Sequence, residues 1–260
     1  MWHDLWPWLL GALVVFVGSL ALWIALRRPA RPAPSAEAHA EAIEHWLGGR
    51  LETARDLLRD HVQRQPEAVE PYLHLGTLYR LTGDPGRAAA LHRSLAVRPG
   101  LSQERRVTVG LELATDLVAL SRWGDAGEVL DQLAELARRN PRWYRLRFDA
   151  AVGRDDPLGA VQSLRDGEKR LADAAAAEMR ALRAAWLADR ALLLVRSGDT
   201  AAARATLNLA KGLDEAEGRL HLVRALIAAH DQDPDQVVRS VEKGLASYPA
   251  DMAPALPVIE

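Results

Sequence analysis

The side chains that bear most directly on chemistry are arginines and histidines. Arg138, Arg139, Arg142, Arg145 and Arg147 crowd one short stretch. A guanidinium presents paired donors that match a carboxylate, so such a cluster suits an acidic protein segment; a solvated arginine-rich face is the other reading of the same run. The eight histidines are scattered. His39, His45 and His61 fall near the start, but none stands four residues from another histidine or in an HExxH frame, so their spacing offers no metal-ligand pair. His92 reads as a core or inter-helix hydrogen-bonding residue. There is no cysteine, which removes thiolate catalysis, disulfides and any Cys-ligated metal. No glycine-rich phosphate loop or nucleophile elbow occurs. With 33 basic against 35 acidic residues and a net charge of −2, the chain lacks the cationic surplus of a general nucleic-acid binder. From these residues no catalytic site, cofactor or metal is expected.

The elements that position these residues are helices. Ala and Leu abound while aromatic and β-branched residues are sparse, which favours an all-α chain. Ala54 and Ala88, Ala126 and Ala160, and Ala203 and Val237 each stand 34 residues apart, every one inside a helical hairpin pattern. That period with a small residue at fixed phase is the signature of tetratricopeptide repeats, helix pairs stacked into an α-solenoid superhelix. About six repeats occupy residues 35–250. The turns fall at Gly48-Gly49, Gly83-Asp84, Gly124-Asp125, Asp155-Asp156, Gly198-Asp199 and Asp233-Pro234-Asp235. Extensions around Leu101–Glu104 and Lys169–Glu178 interrupt the beat, lengthening helices without adding a domain.

In such arrays the first helix of each pair lines a concave groove. Counting phases from each repeat start places Glu70, Leu73, Thr77 and Arg80 there from the second repeat. The third supplies Leu111, Thr115 and Val118, and the fourth Arg142, Arg145 and Asp149. Trp46 and His39 share a face of the first repeat, where Trp46 either anchors a partner or seals the end of the array.

Residues 5–26, LWPWLLGALVVFVGSLALWIAL, carry no charge and as a helix would measure about 33 Å, enough to span a bilayer. Trp2, Trp6, Trp8 and Trp23 lie near its ends, where indoles favour the interface, and Arg27, Arg28 and Arg31 follow it. The expectation is an N-terminal transmembrane anchor over 1–28, a Pro-rich linker over 29–34, repeats on the cytoplasmic side, and a flexible tail over 251–260. The alternative is the opposite orientation, with a periplasmic scaffold assisting envelope or cytochrome assembly.

Val69–Arg106, VEPYLHLGTLYRLTGDPGRAAALHRSLAVRPGLSQERR, followed by LELATDLVALSRWGDAGEVLDQL, resembles the LapB (YciM) family of lipopolysaccharide-assembly proteins. The shared features are the LGxLYRxxGDxxRA run, His92, the LxxERR segment, and a single N-terminal span followed by arginine; the resemblance extends over about the first 240 residues. It implies a bacterial inner-membrane adaptor whose partners are a membrane protease, FtsH, and a lipid A biosynthesis enzyme, the deacetylase LpxC. That family ends in a rubredoxin-like module with four Cys ligands, and this sequence contains no cysteine.

Overall fold

The computed structural model describes residues 36–213 and 217–247. The expected span at 5–26, the linker at 29–34 and the tail at 251–260 lie outside them. The described residues form helices and no strand. They fall into two compact units, one ending at Asp84 and the other beginning at Pro85.

The first unit contains α1 (Ala36–Leu47), α2 (Leu51–Arg64) and α3 (Val69–Leu81). Along α2 the buried residues are Ala54, Leu58, His61 and Val62, an i, i+4, i+7, i+8 stripe that faces the neighbouring helices. Helix α2 packs against both α1 and α3.

The second unit contains α4 (Pro85–Ala96), α5 (Gln103–Ala119), α6 (Trp123–Gln132), the one-turn α7 (Ala134–Ala137), α8 (Pro141–Gly153) and α9 (Pro157–Arg170). It continues with α10 (Asp173–Arg196), α11 (Thr200–Leu209), α12 (Arg219–His230) and α13 (Pro234–Ser247). Most successive helices pack against one another, and first helices also meet first helices, α5 against α8 and α10 against α12. Both extensions are absorbed into helices. The first lengthens α5, which starts after the Ser102 cap; the second is shared between α9 and the 24-residue α10. The largest core cluster lies around α8, where Trp143, Tyr144, Leu146 and Phe148 pack with Leu130, Leu164 and Met179.

The periodic small residues occupy one structural position. Ala54, Ala88, Ala126, Ala160, Ala203 and Val237 are each the fourth residue of the second helix of a pair. The five alanines are 0% exposed and Val237 is 6% exposed. The amides of Ala54, Ala126, Ala160 and Ala203 donate at 3.0 Å to the carbonyls of Arg50, Arg122, Asp156 and Asp199, closing the first turn of each helix. The small side chain therefore sits in the first turn of the helix, enclosed by its surroundings, as a close helix crossing requires.

Five residues before each small residue the backbone turns left-handed. Gly49, Gly83 and Gly198 have φ of 75°, 87° and 84°, and the same slot holds Ser121, Asp155 and Gln232 at 56°, 53° and 59°. This corrects two expected turns. In the third repeat the reversal falls at Ser121, so Gly124 and Asp125 belong to the first turn of α6, where the Asp125 carboxylate accepts from Arg122 Nε at 2.5 Å. In the sixth it falls at Gln232; Asp233 caps α13 by accepting from the Gln236 amide at 3.0 Å, and Pro234 is its first residue. Glycine marks the left-handed slot in three repeats only, and at 124 it lies in ordinary helix.

Ala160 tests the packing constraint. Ala160→Leu places three extra carbons in a fully enclosed site and lowers unfolding stability by about 1–3 kcal/mol, whereas Ala201→Leu, on the exposed side of α11, changes it by less than about 0.5 kcal/mol. Urea unfolding followed by circular dichroism measures both.

Candidate protein-binding face

The expected groove residues divide between the two units. In the first, Leu73 is only 9% exposed and belongs to the core. Thr77 is half-buried and its hydroxyl donates to the Leu73 carbonyl at 3.1 Å. Arg80 and Trp46 are half-buried. The Trp46 indole meets the His74 ring edge-on, with centroids 5.7 Å apart.

That contact belongs to a histidine cluster that sequence spacing does not reveal. His39 from α1, His61 from α2 and His74 from α3 converge. His39 Nε2 lies 2.9 Å from His74 Nδ1, and the His39 and His61 ring centroids are 5.7 Å apart. A bond between two ring nitrogens needs one to donate and the other to accept, so it holds only while one of the pair is neutral. Burial pulls the His39 pKa below the ordinary 6.5, His61 pulls the same way, and Glu70 opposes them. Among the described residues no group of three or more His, Asp or Glu side chains is arranged to hold a metal ion.

In the second unit the face is built by α5, α8 and α10. Leu111, 3% exposed, points into the core and offers a partner nothing. The Thr115 hydroxyl donates to the Leu111 carbonyl at 2.7 Å and accepts from Arg142 Nη2 at 2.7 Å. Arg142 Nη1 donates to Glu112 Oε1 at 2.5 Å. That guanidinium is thus held between two side chains of the preceding first helix. Arg145 reaches the following one, donating to Glu178 Oε1 at 2.6 Å, with both side chains about half exposed. Asp149 lies one further turn along α8. Solvent reaches it, but the protein around its carboxyl raises its pKa above the usual carboxylate range, against the opposing charge of Arg145. Further along, Arg219 of α12 pairs with Asp189 of α10. The first helices are therefore tied to one another by ion pairs across their shared face.

The arginine cluster does not act as one patch. Residues 142, 145 and 149 share a helix face at i, i+3 and i+7, while residue 147 is rotated well away from 142. Arg147 lies over the Trp143 ring, 4.7 Å from its centroid, and pairs with Asp131 at 3.1 Å. Arg138, Arg139 and Arg147 line a separate recess with Arg170 of α9. His92 is an inter-helix hydrogen-bonding residue: its Nδ1 lies 2.5 Å from Asp116 Oδ2, both side chains fully buried, joining α4 to α5.

The paired helices and their ion-paired first-helix face define a helical-repeat solenoid. Among solved structures the chain is similar to a tetratricopeptide repeat protein from Parabacteroides merdae, with a TM-score of 0.50, 15% identity, and 90% of this chain and 86% of that one covered. It is also similar to MamA from Desulfovibrio magneticus RS-1, with a TM-score of 0.53, 16% identity, and 72% and 99% covered. No protein-family model matches the chain. In sequence it is similar to lipopolysaccharide assembly protein B of Escherichia coli K12, 27% identical over 119 residues. That match covers 44% of this chain and 31% of the relative, a shorter stretch than the 240 residues over which the resemblance was expected. The same protein from Escherichia coli O157:H7 matches to the same extent. The chain thus spans about a third of the length of the curated relatives it matches. Among the described residues no helix is long and apolar enough to cross a membrane.

The histidine cluster gives a signed expectation. A lowered folded pKa means that the folded unit takes up a proton at His39 less readily than the unfolded chain. Its stabilising contribution is complete above the ordinary histidine value and is lost as pH falls through the lowered one. An NMR titration of the imidazole resonances should place the His39 midpoint below 6.5; a midpoint at or above that value would contradict the arrangement.

Proposed function

We propose that this chain is a non-enzymatic, membrane-tethered scaffold that binds a protein segment on the first-helix face of its second unit. The observation that carries this reading is the unequal commitment of the charges on α8. Arg142 is held by Glu112 and Thr115 and serves as a fixed wall. Arg145 shares a solvent-exposed ion pair with Glu178, and such pairs contribute only about 0–1 kcal/mol, so a partner carboxylate can replace Glu178 at little cost. Asp149, whose pKa is raised by desolvation, would be stabilised in its charged form by an incoming cation. The face therefore suits a segment with an acidic residue opposite Arg145 and a basic one opposite Asp149.

The uncharged stretch at 5–26, followed by Arg27, Arg28 and Arg31, supports a single-pass anchor in a bacterial inner membrane with the repeats in the cytoplasm. Tethering would raise the effective concentration of membrane-bound partners. The similarity to lipopolysaccharide assembly protein B supports an adaptor in the regulation of lipopolysaccharide synthesis, with the membrane protease FtsH and the deacetylase LpxC as the partners to look for.

Affinity capture of the tagged full-length chain from its own cells, in detergent, tests the proposal. Recovery of a membrane protease or a lipid A enzyme, reduced at least fivefold by Arg145→Glu combined with Asp149→Arg, is the expected result. Recovery of neither class would overturn the adaptor reading, and capture unaffected by the paired substitution would overturn the assignment of the face.

A further inference from the structure

On the second-helix side of the same unit lies a cavity of about 520 Å³, lined by Arg138, Arg139, Arg147 and Arg170 above Trp143 and Tyr144. Two acidic residues, Glu135 and Asp166, also line it, so cations outnumber anions there by four to two. The acids are only loosely engaged with these cations. Glu135 lies 3.9 Å from Arg138 with both side chains well exposed, and Asp166 accepts from Gln162 at 2.8 Å. Arg139 and Arg170 are exposed and pair with no carboxylate among the described residues.

Three of the lining side chains are held by neighbouring groups. The Trp143 indole N–H donates to the Leu130 carbonyl at 2.8 Å, and the Tyr144 hydroxyl donates to the Arg138 carbonyl at 2.9 Å, pinning the link that carries Arg138 and Arg139. Arg147 is held over Trp143 and by Asp131. A smaller cavity of about 120 Å³, lined by Arg147 and Arg154 but also by Asp131 and Asp156, shares Arg147 and Ser163 with the first, so the recess is a trough along α9 whose cation excess lies at the end carrying Arg139 and Arg170. From Ser163 to Arg170, the cationic end, that helix is about 11 Å long, the reach of about three extended residues.

We infer that this trough is a second docking site, which takes an extended acidic peptide segment of a partner protein. Alternate side chains of an extended chain stand about 7 Å apart on one face, so two successive carboxylates can address Arg139 and Arg170 in turn. Guanidinium groups pair carboxylates through two parallel hydrogen bonds, and pre-positioned walls reduce the ordering cost of binding. The recessed shape favours a peptide over a lipid surface, because a planar membrane cannot enter a trough. This site is separate from the first-helix face and stands whether or not that face binds a partner.

The test uses the full-length chain in neutral detergent and a fluorescein-labelled hexaglutamate peptide, followed by fluorescence anisotropy at low salt. The expected result is saturable binding that Arg139→Glu with Arg170→Glu weakens at least tenfold, and that the charge-neutralising pair Arg139→Gln with Arg170→Gln weakens in the same direction. Arg93→Glu with Arg196→Glu, an equal charge change at exposed sites outside the trough, should alter it less than twofold. Absence of binding, or equal weakening by the two Glu pairs at matched circular dichroism, would overturn the proposal. So would Arg139- and Arg170-dependent binding of anionic phosphatidylglycerol vesicles without binding of hexaglutamate.

Discussion

Close approach of two helices at a side chain no larger than a few carbons is the constraint on which the structure depends. Each second helix begins with a left-handed residue, a capping position and one turn of helix, and its fourth residue is then driven against its neighbours. A methyl group at that point lets the axes converge. The enclosed alanines at 54, 88, 126, 160 and 203 show how strictly the position is kept. Because the left-handed slot always lies five residues earlier, turn and crossing form one unit of fixed length. Residues can be added between such units, as in α5 and α10, without disturbing the crossings on either side.

Function follows from what this packing leaves uncovered. In the second unit, second helices meet first helices through apolar side chains, while first helices meet one another through apolar contacts such as Phe148 with Trp186 and, at their surface, through charged pairs. Glu112 with Arg142, Arg145 with Glu178 and Asp189 with Arg219 align α5, α8, α10 and α12 and leave a polar face between them. Such pairs contribute little to stability where they are exposed, which makes them suitable points of exchange with a partner. The second-helix side has a different character: its trough carries arginines whose charge is incompletely met.

Much of this was legible in the sequence because it depends on period alone. The 34-residue beat located the hairpins, and the small residues located the crossings. The glycine signal was less dependable. A left-handed slot tolerates Ser, Asp or Gln at modest cost, so Gly124-Asp125 marked a turn that the chain had already made at Ser121. The expected groove residues were assigned by counting from a repeat start, which does not reveal the rotation of each helix about its axis. Leu73 and Leu111 consequently proved to be core residues. Proximity in sequence also joined five arginines that the 100° step between helical residues sends to two faces. His39, His61 and His74 come from three helices at unrelated spacings, and only the folded unit brings them together.

Site-specific photocrosslinking from position 149 in living cells is the most direct measurement of whether the first-helix face receives a partner. Incorporated in place of Asp149, a photoreactive side chain should yield a discrete covalent adduct with a second protein, while the same group in place of the exposed Arg93 on α4 should not. No adduct from position 149, or an adduct from position 93 alone, would contradict the assignment of this face as the binding surface.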